Sequence, residues 1–274
     1  MYVNAMNKDW LHELKDTMAT LRAPGGCPWD REQTHTSLKR YLAEESAELF
    51  DAIDDGDDEG VKEELGDVLL QVVFHAQLAE EEQRFDLQDV ARACCEKLVR
   101  RHPHVFADTN VADSAGVVQQ WEEIKAEEKK DTAASDRKSA LEGVPRHLPA
   151  LHRAHEMQSK AAKVGFDWPA LDGVLAKIDE ELEEVKHALA AGDEQEIAGE
   201  IGDLLFAVVN LSRFRKQMAE ELLHDTVRKF ERRFRIVEDD LYQQNREARH
   251  CSLAELDALW DKAKASENER TGTE

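Results

Sequence analysis

Two groups of acidic side chains recur along the chain with the same internal spacing. From Glu44 to Glu180, and again from Asp67 to Asp203, the separation is 136 residues. The paired groups are Glu44, Glu45, Glu48, Glu64 and Asp67, and Glu180, Glu181, Glu184, Glu200 and Asp203. A chain with 59 acidic residues contains single Glu-Glu-x-x-Glu motifs by chance, but two groups in register indicate an internal duplication.

Helix geometry explains what this spacing can do. Residues three and four positions apart share one helix face, so Glu45 and Glu48 project together, as do Glu64 and Asp67. Asp- and Gly-containing turns, at 54–60 and again at 191–194, suit helical hairpins. Two antiparallel helices would therefore bring four carboxylates together in each copy.

The surroundings of these carboxylates predict a metal site. Asp67 and Asp203 lie in segments that are apolar nearly all round, which predicts burial. A buried carboxylate is costly unless it is paired or metal-bound, and its acidic neighbours raise its pKa. Oxygen ligands without cysteine favour magnesium, manganese or calcium, and magnesium is commonly shared between carboxylates and phosphates. A solvated acidic face is the alternative for one motif alone, but the duplication favours the metal.

Basic and aromatic residues follow each acidic group. Lys97-Leu-Val-Arg-Arg101 is echoed by Lys229-Phe-Glu-Arg-Arg233, and Trp121 with Lys125 by Trp260 with Lys264. Such cations suit an anionic substrate whose phosphates are also held by metal, and the tryptophan could stack on a base. A solvated basic helix face and a tryptophan in the core are the alternatives.

Composition limits the classes of partner. The net charge of -23 and the pI near 4.9 oppose binding to nucleic-acid polymers or anionic membranes, but are compatible with a small phosphate ligand. The four cysteines form no metal-binding spacing, and the N-terminus has no apolar signal region, so we expect a cytoplasmic protein. No apolar run approaches membrane-spanning length.

The hydrophobic pattern predicts an all-α protein of two tandem helical bundles. We expect helices near 7–22, 36–55, 59–83, 86–101 and 114–129, followed by their repeats. Residues 126–138 lack large apolar side chains and resemble a linker. The predicted divisions are an N-terminal helical domain at 1–130, a charged linker at 131–146, a C-terminal helical domain at 147–265 and a disordered tail at 266–274.

The two copies differ after their basic motifs. His102-Pro-His104 follows the arginines of the first copy, and the proline predicts that the helix ends there. The second copy continues through Arg235 without a breaker, so Lys229 and Arg233 can share one helix face. Positioning of basic side chains should therefore be better in the second copy.

Further motifs point to a known family. They are Gly26-Cys-Pro-Trp-Asp30, Arg100-Arg-His-Pro-His-Val-Phe106, Gly165-Phe-Asp-Trp168 and Lys229-Phe-Glu-Arg-Arg-Phe234. With the acidic groups, and in this order, they make the chain resemble two-domain MazG nucleoside triphosphate pyrophosphohydrolases over nearly its whole length. The resemblance implies an all-α homodimer that cleaves nucleoside triphosphates between the α and β phosphates. It also implies Mg²⁺, with Mn²⁺ as a possible substitute, and nucleotide-pool cleaning or stress-linked nucleotide control.

The same resemblance assigns roles to individual residues, mainly in the second repeat. Metal-binding and catalytic positions match Glu181, Glu184, Glu200 and Asp203, with Glu180 as an additional acidic neighbour. Substrate-binding positions match Lys177, Lys229, Arg233, Trp260 and Lys264, the last two in their own subunit or its partner. A possible second site is Glu45, Glu48, Glu64 and Asp67. One departure is that the hairpin tip at 190–196 contains no lysine.

Two other functions remain open. A Gly-x-x-x-x-Gly-Lys-Ser/Thr loop is absent, which argues against the usual γ-phosphate transfer architecture. Glu184-Val-Lys-His187 and Glu32-Gln-Thr-His35 match the Glu-x-x-His motif of di-iron bundles, but neither is mirrored in the other repeat. A noncatalytic, nucleotide-responsive regulator is the third possibility, above all for the first repeat.

Overall fold

The computed structural model describes residues 8–107, 113–131 and 139–271. These residues form twelve α-helices and one 3-10 turn, with no β-strand among them. The all-α prediction is confirmed. The chain divides into two compact units, Met1–Ala134 and Ser135–Glu274. Among the described residues, no helix is both long enough and apolar enough to cross a membrane.

The first unit is built on a helical hairpin. Its helices are α1 (Trp10–Arg22), α2 (Pro28–Glu32), α3 (Lys39–Asp55), α4 (Asp58–Glu81), α5 (Leu87–Arg101), α6 (Pro103–Phe106) and α7 (Ser114–Asp131). Gly56 ends α3 in the left-handed conformation, and Asp57 then caps α4 by accepting a hydrogen bond from the Glu59 amide. The core joins α1, α4 and the start of α5 through Met18, Leu38, Val73, Phe74, Ala76, Leu78 and Leu87.

The second unit repeats the hairpin with longer helices after it. It contains α8 (Ala150–Lys163), α9 (Leu171–Ala191), α10 (Glu194–Phe214), α11 (Ala219–Gln243) and α12 (Leu253–Thr271), with a 3-10 turn at Ala248–His250. Gly192 is left-handed at the turn, and Asp193 caps α10. Helices α11 and α12 pack through Val237, Leu241 and Ala263.

Most predicted helices agree with the structure within a few residues. The helix predicted at 36–55 begins at Lys39, and the short α2 and α6 were not predicted. Helix α5 ends at Arg101, two positions before Pro103, whereas α11 runs unbroken through Arg235, as the sequence predicted.

The ends of the units differ from the sequence prediction. Helix α7 continues to Asp131, into the predicted linker, whose residues 132–138 lie outside the described part of the chain. Helix α12 continues past the predicted start of a disordered tail at 266 and reaches Thr271. An ion pair between Glu267 and Arg233 of α11 holds part of this extension. Residues 272–274 lie outside the description.

The expected burial of Asp203 is wrong. Asp203 is exposed, and so are its apolar neighbours Ile201, Leu205 and Val208. Helices α8 and α9 pack against α10, on which Ala207 and Val209 are buried. An apolar sequence all round the helix thus leaves one face uncovered in the described chain. Asp67 in the first unit is half-buried.

Candidate active site

Three of the four predicted metal ligands meet in the second unit. Glu181 and Glu184 share a face of α9, and Glu200 reaches them from α10 across the hairpin. One carboxylate oxygen from each lies within 4.8 Å of the others. Asp203 follows on α10 beyond this group, where it lines a cavity together with Glu181. The predicted quartet is therefore a cluster of three glutamates with an aspartate beside it.

The cluster concentrates negative charge around one buried carboxylate. Glu181 is 5% exposed, and Lys177 Nζ lies 2.6 Å from its Oε1 and 2.8 Å from Oε1 of Glu180. These two carboxylates raise the pKa of Lys177. Partial desolvation, and then the nearby Glu181 and Glu200, raise the pKa of Glu184. The all-oxygen donor set and its mutual repulsion fit a hard divalent cation.

A cavity of about 850 Å³ opens beside this cluster. It lies among α8, α9, α10 and the turn at 165–168. The acidic edge carries Lys177, Glu181 and Asp203, while the remaining wall is mainly apolar. Apolar and aromatic lining residues include Met157, Ala161, Phe166, Trp168, Phe206 and Ala207. A large apolar pocket with a few polar groups at one edge is typical of a small-molecule site.

An ion pair fixes the aromatic turn at the cavity. Arg213 of α10 forms a two-pronged ion pair with Asp167, and its guanidinium holds the pKa of that carboxyl below its usual range. The Nε and Nη2 groups of Arg213 also donate to Asn210 Oδ1, at 3.0 and 2.8 Å. Trp168 packs so closely on α9 that a Cβ at Gly173 would lie 2.7 Å from its ring.

Sequence reasoning missed most of this cavity. It used Gly165-Phe-Asp-Trp168 only as a family motif and overlooked Gln158, Asn210 and Arg213. A position-by-position comparison of the repeats could have indicated the cavity, because smaller side chains of the second copy replace larger ones of the first. With the acidic groups in register, Ala207 and Asn210 of the second copy replace Gln71 and Phe74 of the first.

The other predicted substrate residues lie on α11 and α12, and none is among the residues that line the described cavity. Arg233 Nε is 2.7 Å from Glu267 Oε2, and its guanidinium lies 5.9 Å from the ring centre of Trp260. Lys264 pairs with Asp261 at 2.6 Å. Lys229 is exposed on α11. The role of these four residues stays a prediction.

The first unit retains the acidic cluster. Oxygens of Glu45, Glu48 and Glu64 lie within 4.8 Å of one another, and among the described residues Glu64 Oε2 is buried without a hydrogen-bond partner. Desolvation, and then neighbouring carboxylates, raise the pKa values of Glu45 and Glu64. Tyr41 stands where the second unit has Lys177. The donor set fits a cation, but without the lysine beside it.

Large side chains fill the space that corresponds to the cavity. Phe74, the counterpart of Asn210, is 3% exposed and belongs to the core. Arg22 precedes Gly26-Cys-Pro-Trp29 by the same spacing as Ala161 precedes Gly165-Phe-Asp-Trp168. Its guanidinium lies 5.5 Å from the centre of the Phe74 ring and pairs with Glu81. The first unit thus has a packed core where the second has a cavity.

The histidines of the two Glu-x-x-His motifs do not join the carboxylates. His187 is exposed, and the acidic clusters of the described chain contain glutamates only. His35 Nδ1 instead lies 2.8 Å from His75 Nδ1. This arrangement gives the di-iron interpretation no support.

Comparisons with known proteins agree with these features. The model of the MazG nucleotide pyrophosphohydrolase domain matches residues 33–106 and 171–237. A Thermotoga maritima protein named nucleoside triphosphate pyrophosphohydrolase/pyrophosphatase MazG is 47% identical over 256 residues, which are 93% of this chain and 96% of that protein. The Escherichia coli K12 nucleoside triphosphate pyrophosphohydrolase is 44% identical over 260 residues, covering 94% and 98%. The uncharacterized protein YabN of Bacillus subtilis is 47% identical over 248 residues, covering 90% of this chain and 50% of its own.

Proposed function

The chain belongs to the MazG nucleotide pyrophosphohydrolase family, and from this premise we propose that its second unit is where nucleoside triphosphates are hydrolysed to monophosphate and pyrophosphate. One observation carries the choice of unit. Glu181 of the second cluster lines a cavity of about 850 Å³, whereas in the first unit Phe74, the counterpart of the cavity residue Asn210, is buried in the core. A triphosphate needs both a place for its charge and a place for its nucleoside.

Magnesium is the proposed cofactor, and manganese is a possible substitute. Glu181, Glu184 and Glu200 would hold it, together with Asp203 at the cavity edge. The ion would neutralise phosphate charge and lower the pKa of an attacking water. Glu180, exposed beside the cluster, adds negative charge there. These assignments rest on the oxygen donor set and on the family resemblance.

Lys177 has a second role in this proposal. Without ligand it pairs with Glu180 and Glu181. Once the carboxylates are neutralised, its ammonium group can turn to the phosphates at the cavity edge. Lys229, Arg233, Trp260 and Lys264 would add contacts from α11 and α12, in the same subunit or in its partner.

We infer a homodimer from the uncovered apolar surface of the second unit. Leu182, Leu189, Leu205 and Phe230 are each at least 40% exposed on α9, α10 and α11. Large apolar side chains exposed on three helices favour an interaction surface, and the family resemblance makes a second copy the proposed partner. We place the enzyme in the cytoplasm, where it would clean the nucleotide pool or adjust nucleotide levels under stress.

A product assay tests the proposal. Purified protein with Mg²⁺ is incubated with each common and noncanonical triphosphate, and the products are separated. We expect monophosphate and pyrophosphate. Diphosphate with orthophosphate would reject the reaction, and binding without turnover of any substrate would favour the noncatalytic regulator.

A further inference from the structure

Gln158 presents an unused hydrogen-bond acceptor inside the second unit. It lies on α8, is 8% exposed and lines the cavity. Its Nε2 donates to the backbone oxygen of Phe206 at 2.8 Å. A carbonyl oxygen can only accept, so the amide nitrogen must face Phe206 and the orientation of the side chain is fixed. Oε1 is then left buried, without a partner among the described residues.

A buried acceptor without a donor is unfavourable, and a ligand that brings an N–H group would relieve it. Asn210 adds a second amide to the cavity wall. Its Oδ1 accepts from Arg213, so its NH₂ group remains as the donor end. Among the residues that line this mainly apolar cavity, Gln158 therefore has one unpaired acceptor and Asn210 has a donor end.

The aromatic residues of the cavity suit a flat ligand. Phe166 and Trp168 are 83% and 42% exposed, respectively, although both line the cavity. A planar ring entering the cavity would cover them by stacking or edge contact. Lys177, Glu181 and Asp203 line the same cavity, so a phosphate chain attached to that ring could reach them.

We propose that this cavity holds the base of the nucleotide and that Gln158 Oε1 accepts a hydrogen bond from a ring or exocyclic N–H of that base. The inference rests on the proposed function, because it assigns the base end of the same substrate. It makes Gln158 a specificity-determining residue and places the base away from Trp260.

The test uses Gln158→Met in the full chain, which keeps the side-chain length and removes the acceptor. Pyrophosphate release is measured with the common nucleoside triphosphates and with an abasic ribose 5′-triphosphate. We expect kcat/KM for the best nucleotide to fall about 10- to 100-fold, mostly through KM, because the N–H group of the base loses its acceptor. Turnover of the abasic compound should change less than about twofold.

A matched control exists in the first unit. Gln71 is 5% exposed and also has a buried Oε1 without a partner, but it does not line the cavity. Gln71→Met should leave every kinetic constant within about twofold of the parent. A nucleotide whose base N–H groups are N-methylated should be discriminated against by the parent and much less by Gln158→Met.

The outcomes separate this inference from the function on which it rests. An equal loss for nucleotides and the abasic compound would show that Gln158 only supports the fold, and unchanged kinetics would show that Gln158 does not contact the base. Either result would overturn the inference. If the parent releases no pyrophosphate from any triphosphate, the proposed function fails. In that case, calorimetry of the binding of free nucleosides to the parent and to Gln158→Met still tests the role of Gln158. Equal Kd values for the two proteins would overturn that role.

Discussion

Asp203 lies outside the cluster of three glutamates but lines the cavity, as Glu181 does. A carboxylate there can contact both the cation and the phosphate chain. Asp203→Asn keeps the size of the side chain but removes its charge, so we expect turnover to fall by about a thousandfold. Asp67→Asn in the first unit should cost less than about tenfold. Steady-state pyrophosphate release measures both.

The comparison requires that both variants have the same melting temperature as the parent. Loss of turnover in Asp67→Asn with near-parent turnover in Asp203→Asn would move catalysis to the first unit and to Glu45, Glu48 and Glu64.

The pair of histidines in the first unit predicts sensitivity to acid. Arg84 Nη2 lies 2.7 Å from His35 Nε2 and must be the donor, so neutral His35 donates through Nδ1 to Nδ1 of His75. Burial, and then His35, lower the pKa of His75. Because the folded state disfavours the protonated form, stability is fully present above the ordinary pKa of 6.5. It is lost as the pH falls below that value towards the lower folded pKa.

We therefore expect the Tm of the parent to decline between about pH 7 and pH 5, and His75→Leu to decline less over this range. Leucine occupies the counterpart position 211 in the second unit, so the replacement is compatible with the helix. Replacing the exposed His224 by Leu serves as the control and should leave the profile unchanged. Equal slopes for His75→Leu and the parent would contradict the assignment.

At the residue scale, the sequence could place the glutamates but not their surroundings. Helix periodicity alone brings Glu181 and Glu184 to one face, and hairpin pairing adds Glu200. The pairing of Lys177 with Glu181 and the orientation of Gln158 depend on rotamers and on contacts with other helices. Asp203 was expected to be buried because apolar residues surround it in the sequence. That pattern does not tell which faces of the helix are covered by the rest of the chain.

At the scale of elements, the same helices produce two different interiors. The α3–α4 and α9–α10 hairpins share their turns and caps, yet Phe74 and Arg22 fill the first unit where Asn210 and Ala161 leave space in the second. Periodicity predicted the helices, and Pro103 predicted the end of α5. Periodicity could not predict the cavity, because cavities depend on side-chain volumes summed across several helices.

Filling the second interior should separate nucleotide binding from metal binding. Asn210→Phe, with Ala207→Gln, copies the residues of the first unit into the cavity wall. We expect kcat/KM to fall at least about a hundredfold, because the substrate loses its space, while the Mg²⁺-dependent rise in Tm remains. Turnover and melting curves with and without Mg²⁺ measure the two effects.

Tyr242→Ala, which changes an exposed side chain near the end of α11, is the control for the double variant and should affect kcat/KM far less. Parent-like kcat/KM in the folded double variant would show that the cavity does not hold the substrate.

At the scale of the whole molecule, each unit carries its own cluster of carboxylates. The ligands of each cluster come from one unit alone, so metal binding should stabilise each unit through its own residues. The two clusters differ in one respect: Lys177 already neutralises part of the second one, whereas Tyr41 provides no charge in the first. A magnesium ion that bound both clusters would therefore displace a lysine in the second unit only.

This arrangement predicts how magnesium changes the melting of the full chain. Clustered carboxylates repel one another until a cation binds the folded arrangement, so Mg²⁺ should raise the melting temperature of the second unit. At about a hundredfold excess over Kd, binding contributes about 2.7 kcal/mol, and a chelator should reverse the rise. Replacing Glu181, Glu184, Glu200 and Asp203 by Gln or Asn should abolish the Mg²⁺-dependent increase in the melting temperature of the second unit. The equivalent replacements at Glu45, Glu48, Glu64 and Asp67 should leave that increase unchanged. Scanning calorimetry of both quadruple variants with and without Mg²⁺ tests this prediction. A full increase in melting temperature in the variant that lacks Glu181, Glu184, Glu200 and Asp203 would mean that the metal site of the second unit lies elsewhere.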